Sequence, residues 1–185
     1  MRLDERGLGE YTDRFDHDAF RHETATNYLV DNGSADWVRW QAGELGPAPD
    51  EVRPWSEWLR AQRARPTRPT IRRVRVIYAH PLTEHLRFEI GYQYRANTAA
   101  GEDIRILDLT EQPRPDGMLD DEFWMMDGVR AALMAYDKAG RFTAAETIEG
   151  LGMQVVRRAA AAAWDTAEPL EVWWARHDEY HRARV

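Results

Sequence analysis

The middle of the chain changes from one hydrophobic periodicity to another, and this change constrains the fold most. Residues 71–78 are rich in β-branched side chains and alternate in part, which is typical of a strand. Apolar residues then recur at helical spacing over 82–97, and a second β-like run covers 102–109. A strand, a helix of about fifteen residues and a strand normally form a right-handed crossover, so we expect a βαβ unit with parallel strands.

Three short β-like runs follow a loop rich in proline and glycine: 122–126, 129–136 and 141–148. The first two are joined by Asp127-Gly128, a strong hairpin signal, and the next two by a turn that ends at Gly140. These runs predict an antiparallel meander. Together with the βαβ unit, the meander predicts an α+β fold with a five-stranded mixed sheet at residues 67–150.

Residues 1–66 form a predicted helical segment. Asp13 or Asp16 is a suitable N-cap for the first helix, Ser34 for a second and Asp50 for a third. Four apolar residues would share one face of the first helix: Phe15, Ala19, Phe20 and Tyr28.

The C-terminal segment, residues 151–185, predicts two helices that pack on the sheet. The first extends from Leu151 to Trp164 and the second from Glu168 to His181. We expect the N-terminal helical segment, the sheet core and the C-terminal helices to fold as one cooperative domain.

Composition excludes several classes of protein. The chain of 185 residues has 32 acidic and 25 basic side chains, a formal charge of −7, and no cysteine. Disulfides, thiolate metal sites and cysteine nucleophiles are therefore excluded. The chain has no apolar run of about 18 residues and no apolar stretch after its first charges, so we expect a cytoplasmic protein without a membrane partner. The sequence contains neither a phosphate-binding glycine-rich loop nor the Gly-x-Ser-x-Gly nucleophile elbow of serine hydrolases.

Positive charge is concentrated between Arg53 and Arg75, a segment that contains eight arginines and one acidic residue, Glu57. Such a segment attracts phosphate, nucleic acid or an acidic partner. The alternative is a solvated helix face and linker whose arginines pair with acids elsewhere. The net charge of −7 and the lack of a recognition helix disfavour direct binding of nucleic acid.

Histidines provide weak candidates for chemistry. His177 and His181 are four residues apart on the last predicted helix, but the order of residues between them is not that of a metalloprotease, and helix ends fray. We therefore predict no metal site and no cofactor. His80 stands at a strand end and His85 shares a helix face with Glu89, so each is an acid–base candidate.

The strongest candidate site combines arginines with carboxylates. Arg73 and Arg75 share one face of the first central strand, where a buried guanidinium requires a carboxylate partner such as Glu23 or Glu89. The full predicted ligand-binding set is Arg21, Glu23, Arg73, Arg75, Glu89, Asn97 and Asp103.

This set has two interpretations. It is either a structural ion network that fixes the N-terminal segment on the sheet, or a pocket in which arginines bind a small anionic ligand. In an enzyme, the catalytic groups would be Glu23, Glu89, Asp103 and His85.

Several short motifs together resemble an uncharacterised actinomycete family. They extend from about residue 13 to 180 and read Phe15-x4-Phe20-Arg21-x-Glu23, Ile71-Arg-Arg-Val-Arg-Val76, Leu86-Arg-Phe-Glu89, Asn97-x3-Gly101-Glu-Asp-Ile-Arg105 and Glu122-Phe-Trp-Met-Met-Asp127. Members of that family are commonly encoded beside helix-turn-helix transcription regulators. The resemblance implies an intracellular regulatory role and no activity.

A weaker resemblance is to half of a phospholipase-D-type domain, based on the order of strand, helix, Ala100–Leu107, loop and hairpin. Those enzymes have His-x-Lys-x4-Asp on the corresponding strand. Counting back from Asp127 puts Asp120 and Glu122 at the histidine and lysine positions, and a carboxylate there would repel phosphate. The resemblance therefore implies a scaffold that has lost phosphoryl-transfer chemistry.

Three functional hypotheses follow. The first is a non-catalytic ligand-sensing or protein-interaction module that works with a helix-turn-helix regulator. The second is a small enzyme of specialised metabolism that binds an anion through arginine and uses a carboxylate or histidine as base for elimination, isomerisation or intramolecular displacement. The third is a structural subunit, such as a homodimer formed through the tryptophans at 55 and 58 or at 173 and 174.

Overall fold

The computed structural model describes residues 1–28, 34–47 and 53–181. Their central feature is an eight-stranded mixed sheet with the order β1-β7-β6-β5-β2-β3-β4-β8. The strands are β1 (Arg2–Leu3), β2 (Asp18–Glu23), β3 (Thr70–Ile77), β4 (Asp103–Asp108), β5 (Glu122–Met126), β6 (Arg130–Tyr136), β7 (Phe142–Glu149) and β8 (Glu168–Pro169).

The predicted βαβ unit and meander are both confirmed. β3 and β4 are parallel neighbours on either side of a helical crossover, and β5, β6 and β7 pair antiparallel in sequence order. The expectation of five strands is wrong, because the sheet has eight. Two of the additional strands, β1 and β8, have only two residues each, which is too short to produce a hydrophobic period.

The third additional strand, β2, corrects the interpretation of the N-terminal segment as wholly helical. Asp13 ends the first helix, and residues 18–23 are extended although their apolar residues allow a helical face. Five of the six residues of β2 are buried, including Arg21, His22 and Glu23. A strand with polar side chains buried on both faces has no apolar–polar alternation, so its sequence did not indicate a strand.

β2 joins the two predicted halves of the sheet. It pairs parallel with β3 and antiparallel with β5. The Asp127 carboxylate at the end of β5 accepts backbone N–H groups of Asp16, His17 and Asp18 at 2.7–2.8 Å, which fixes the start of β2. The residue that signals the hairpin turn therefore also positions the central strand.

The helices follow the sequence expectations in part. They are α1 (Glu5–Thr12), α2 (Ala35–Gln41), α3 (Pro54–Arg63), α4 (Glu84–Phe88), a π-helical turn (Glu89–Tyr94), α5 (Arg95–Ala100), α6 (Met153–Thr166) and α7 (Leu170–Arg176). The Ser34 side chain caps α2 as predicted, and Pro54 lies in the first turn of α3. The predicted cap Asp50 lies outside the described residues. The last helix ends at Arg176, before the predicted end at His181.

The helices cover both faces of the sheet. α6 packs on one face, where Val156, Ala160 and Ala163 join an apolar cluster with Phe20 and Phe123. On the other face, one apolar cluster includes α3 and α5 residues, and another includes α4, the π-helical turn and α7. The polar residues of β2 and β3 that belong to the predicted site also lie on this second face of the sheet.

Candidate functional site

Seven buried charged residues form one connected group, which we call the arginine–glutamate cluster. Its members are Arg21 and Glu23 on β2, Arg73 and Arg75 on β3, Glu89 in the π-helical turn, Glu102 before β4, and Glu122 on β5. Each is between 0% and 8% exposed. Side chains two residues apart on a strand share a face, and the β2–β3 register places Arg21 beside Arg73 and Glu23 beside Arg75.

Glu23 lies at the centre of this cluster. Its Oε1 accepts from Arg21 Nε at 3.2 Å and from Arg73 Nη1, and its Oε2 accepts from the Tyr94 hydroxyl. Arg73 also donates Nε to Glu102 at 2.7 Å. Burial raises the pKa of Glu23, but Arg73, Arg21 and Arg75 lower the pKa further, so it lies well below its ordinary value. Glu23 is thus a charged structural partner and not a proton acceptor near neutral pH.

Glu122 anchors the second side of the cluster. Its Oε2 accepts from Arg21 Nη2 at 2.9 Å, and its Oε1 accepts the backbone N–H groups of Thr24 at 3.0 Å and Ala25 at 2.6 Å as well as the Tyr28 hydroxyl. Burial lowers the pKa of Arg21, but Glu122 and Glu23 raise it above its ordinary value. The chain just after β2 is therefore held against β5 by one carboxylate.

Arg75 forms the third side and is fully buried. It donates Nη2 to Glu89 and Nη1 to the backbone carbonyl of Ala25 at 2.8 Å. His85 Nε2 lies 3.3 Å from Glu89 Oε2, but neither ring nitrogen of His85 makes a hydrogen bond within the described chain. His85 lies beside the cluster without the alignment that proton transfer to Glu89 requires.

The cluster is electrostatically closed. Three guanidinium groups contact four carboxylates, and each arginine has at least one carboxylate partner. Four surface pockets of the described chain are lined by other residues. An anionic ligand would have to displace a glutamate from a buried arginine, which is costly.

Two residues of the predicted set lie outside the cluster. Asp103 is exposed on β4 and lines a surface pocket with Arg63 and Arg68, because its side chain alternates to the other face from Glu102. Asn97 is buried in α5, where its backbone carbonyl accepts N–H groups of Gly101 and Glu102 at the helix end. The structure therefore brings together Arg21, Glu23, Arg73, Arg75 and Glu89, with His85 adjacent.

Sequence reasoning did not assign Glu102 and Glu122 to this site. The available signal was charge balance, since three buried arginines require at least as many buried acceptors. Glu122 begins an apolar strand, and Glu102 directly precedes another, so each was a candidate by position. Tyr28 and Tyr94 complete the cluster as hydroxyl donors, and no spacing rule links them to Glu122 and Glu23.

The basic segment also finds its partners within the molecule. Among the described residues, five of its eight arginines form ion pairs, including Arg53 with Asp36, Arg65 with Asp16 and Arg72 with Asp18. The other two are Arg73 and Arg75 in the cluster. This pairing matches the interpretation of the segment as one whose arginines are neutralised by acids elsewhere.

A cleft lies between α6 and the sheet, and we call it the α6 cleft. Its volume is about 690 Å³. Phe20 and Met125 line its sheet side, and Ala160, Ala161 and Trp164 line its helix side. The polar residues around it are His17, Asp18, Thr70, Arg72, Asp127, Arg157 and Asp165. A volume of this size with apolar walls and a polar rim suits a small organic ligand.

A third group lies at the carboxyl ends of β3 and β4, and we call it the histidine–aspartate group. It comprises His80, Asp108 and His177, whose nearest nitrogen and oxygen atoms all lie within 4.8 Å of one another. His80 Nε2 is 2.8 Å from Asp108 Oδ2, which also accepts from Trp173 Nε1 at 3.0 Å. Burial raises the pKa of Asp108, but hydrogen bonds from Thr110, His80 and Trp173 lower it below its ordinary value.

The helical spacing of His177 and His181, which made them a weak metal candidate, is not realised in the structure. α7 ends before both residues, and His177 stacks on Trp173 whereas His181 stacks on Trp174. His181 Nε2 hydrogen-bonds the Trp174 carbonyl at 2.8 Å. His177 instead lies near His80, so in the described chain His80, Asp108 and His177 are the residues that could hold a metal ion.

The fold and these sites define an α+β domain in which a buried ionic cluster lies between helices and a mixed sheet. The model of the family described as a domain of unknown function, DUF6879, matches residues 6–175. The chain therefore belongs to this family, and the expected membership in an uncharacterised family is confirmed. No curated protein matches the chain. No helix in the described ranges is long and apolar enough to cross a membrane.

We expect the Arg75–Glu89 pair to be strongly coupled in stability. Arg75→Met and Glu89→Met should each lower the free energy of unfolding by about 3–5 kcal/mol, because each leaves a buried charge without its partner. The double variant should cost about 1–3 kcal/mol less than the sum of the two. Urea unfolding of the four proteins measures this coupling. The matched cycle on the exposed pair Arg6–Glu10 should give almost no coupling, and equal coupling in both cycles would contradict a desolvated pair.

We expect Glu23 to contribute to the loss of stability in acid. The folded-state pKa of Glu23 lies below its unfolded value of about 4.3, so its stabilisation is complete above that pH and is lost as the pH falls through the folded-state pKa. Glu23→Gln should therefore be much less stable than the wild type at pH 7, and the difference should narrow below about pH 4. Denaturant unfolding from pH 3 to pH 8 measures this, with the exposed Glu44→Gln as control. A difference that does not change with pH would contradict the assignment.

Proposed function

We propose that this protein is a non-catalytic binding module that takes a small ligand in the α6 cleft. The observation that carries the proposal is the contrast between the two sites. Glu23 and Glu89, which were expected to perform chemistry, are paired with buried arginines, whereas the cleft of about 690 Å³ on the other face of the sheet is open and has apolar walls with a polar rim.

The lining of the cleft suggests which ligands it favours. The Arg72 guanidinium lies 5.5 Å from the Phe20 ring centre and 5.0 Å from that of Trp164, and Asp18 holds it through two bonds of 2.9 Å. A planar cation fixed between rings offers a surface for stacking. Arg157 provides a second positive charge at the rim, where it donates to the Gly128 carbonyl. The rim also has three carboxylates, Asp18, Asp127 and Asp165. We propose a small ligand with a flat apolar body and a polar end.

The alternative is the small enzyme with an arginine clamp. It requires a base that substrate can reach close to the arginines of the cluster, and Glu23, Glu89 and His85 are each only 4% exposed. Asp103, the fourth expected base, is exposed but lies outside the cluster, in a surface pocket with Arg63 and Arg68. The resemblance to a phospholipase-D-type domain does not favour it either. Asp120 pairs with Arg114 and Glu122 with Arg21, so both residues at the expected catalytic positions are engaged as structural carboxylates. These observations support the binding module.

We further propose that the module acts in the cytoplasm of an actinomycete together with a helix-turn-helix regulator. The support is the resemblance of its motifs to a family commonly encoded beside such regulators. A homodimer through the tryptophans has less support, because Trp173 is fully buried and Trp55 stacks on Trp58 at 4.6 Å. A ligand bound beside α6 could alter the surface that a partner contacts.

We expect Ala161→Trp to abolish ligand binding. Ala161 is exposed and lines the cleft, so an indole at this position should fill the cleft at little cost in folding. Val155→Trp is the matched control, since Val155 is 58% exposed on α6 and is not among the residues that line the cleft. Native mass spectrometry of each protein, incubated with a small-molecule extract of the organism that encodes it, measures binding.

The wild type and the control should retain a ligand that Ala161→Trp does not retain. The released ligand should also be recovered with unchanged mass after long incubation. An equal adduct on Ala161→Trp, or no adduct on any of the three proteins, would contradict the cleft as the binding site. Conversion of the ligand to a product would support the enzyme alternative.

A further inference from the structure

We propose that His80 Nε2, Asp108 Oδ2 and His177 Nε2 bind one divalent transition-metal ion, with Zn²⁺ as the representative ion. One ligand atom of each residue lies within 4.8 Å of the other two, and the group stands at the carboxyl ends of β3 and β4. The carboxyl edge of parallel strands is where α/β sheets place ligands. This site lies away from the α6 cleft, whose β2 and β3 residues are Asp18, Phe20, Thr70 and Arg72 near the amino ends of those strands.

The contacts of His177 leave its Nε2 without a satisfactory partner. Its Nδ1 lies 2.7 Å from the backbone carbonyl of Trp173, an acceptor only, so Nδ1 must carry the hydrogen. In the neutral ring Nε2 then has a lone pair, yet it faces Glu111 Oε1 at 3.2 Å, which is another acceptor. Glu111 also pairs with Arg176 at 2.9 Å, so that guanidinium already offsets the charge of the carboxylate. A metal cation would give the Nε2 lone pair of His177 a direct partner.

The other two ligand atoms are also oriented by outer partners. His80 Nδ1 shares a hydrogen bond of 2.6 Å with the Tyr180 hydroxyl, which in turn accepts the Leu82 N–H at 3.2 Å. Asp108 Oδ1 accepts the backbone N–H of Thr110 at 3.0 Å and its hydroxyl at 2.7 Å, and Trp173 Nε1 donates to Oδ2 at 3.0 Å on the side that faces His80. Metal-binding histidines characteristically have their second ring nitrogen fixed in this way.

The aromatic stacking of the group holds its geometry. His177 stacks on Trp173 with ring centres 3.9 Å apart, and the rings of His80 and His177 are parallel to within 5° at 5.6 Å. Trp173 is fully buried, so His177 is held by the core. A site whose ligands are fixed by packing loses little entropy when it binds an ion.

The donor set indicates the class of ion. Two imidazole nitrogens and one carboxylate oxygen suit Zn²⁺, Co²⁺, Ni²⁺ or Fe²⁺, whereas Mg²⁺ and Ca²⁺ prefer oxygen ligands alone. Asp108 and His177 are buried, but the His80 side chain is 26% exposed. The ion would therefore keep a coordination position open to solvent, which water or a small anion can occupy.

The experiment uses the full chain without a polyhistidine tag, freed of metal by a chelator. Titration calorimetry with Zn²⁺ should show one ion bound per chain. His80→Gln and His177→Gln should each weaken binding by at least about 100-fold, since loss of a direct ligand exceeds the 10–100-fold typical of an outer partner. His181→Gln, close in sequence to His177 but stacked on Trp174, is the matched control and should leave the affinity unchanged.

Cobalt spectra of the wild type give a second result that does not depend on the folding of any variant. Visible d–d bands of a four- or five-coordinate Co²⁺ ion would support the site, and the weak spectrum of aquated Co²⁺ would overturn it. No saturable binding of Zn²⁺ at micromolar concentrations would also overturn it. Binding that survives both His80→Gln and His177→Gln would overturn it as well. None of these outcomes affects the ligand proposed for the α6 cleft.

Discussion

The ion pairs of Glu23 with Arg21 and Arg73 are the interaction on which the rest of the structure depends. Two arginines on neighbouring strands, side by side in register and buried, would repel each other without a carboxylate between them. Glu122 on β5 completes the contacts of Arg21, and Glu102 before β4 completes those of Arg73. The crossover brings Tyr94 to Glu23 and Glu89 to the third arginine, Arg75. The central order of strands therefore follows from the need to neutralise buried charge.

The residues that hold the sheet together are different from the residues that we propose for binding. The arginine–glutamate cluster occupies the interior of one helix-covered face, so the ligand and metal proposals involve other surfaces. The α6 cleft uses residues near the amino ends of β2 and β3, and the histidine–aspartate group uses the carboxyl ends of β3 and β4. β3 contributes residues to the cluster and to the α6 cleft, and the chain that leaves its end carries His80, so the rigidity that the cluster gives to this strand supports both proposed sites.

The sequence predicted those parts of the fold that have a regular apolar period. The βαβ unit and the meander have such a period, and the need of Arg73 and Arg75 for Glu23 and Glu89 followed from the cost of buried charge. β2 was missed because both of its faces are buried and its inward residues are polar. His177 was paired with His181 by helical spacing, but α7 ends before both, and the contact with His80 joins residues 97 positions apart, which no local pattern reveals.

The most direct test of the closed cluster is the exchange of its guanidinium protons with water. In nitrogen-15 NMR spectra of the full chain, arginines fixed by buried carboxylates should give separate, slowly exchanging Nη–H signals. We expect such signals for Arg21, Arg73 and Arg75, and averaged, rapidly exchanging signals for the exposed Arg6. Averaged and rapidly exchanging signals from Arg73 and Arg75 would contradict the account, because they would show a cluster that is open to water and therefore accessible to a ligand.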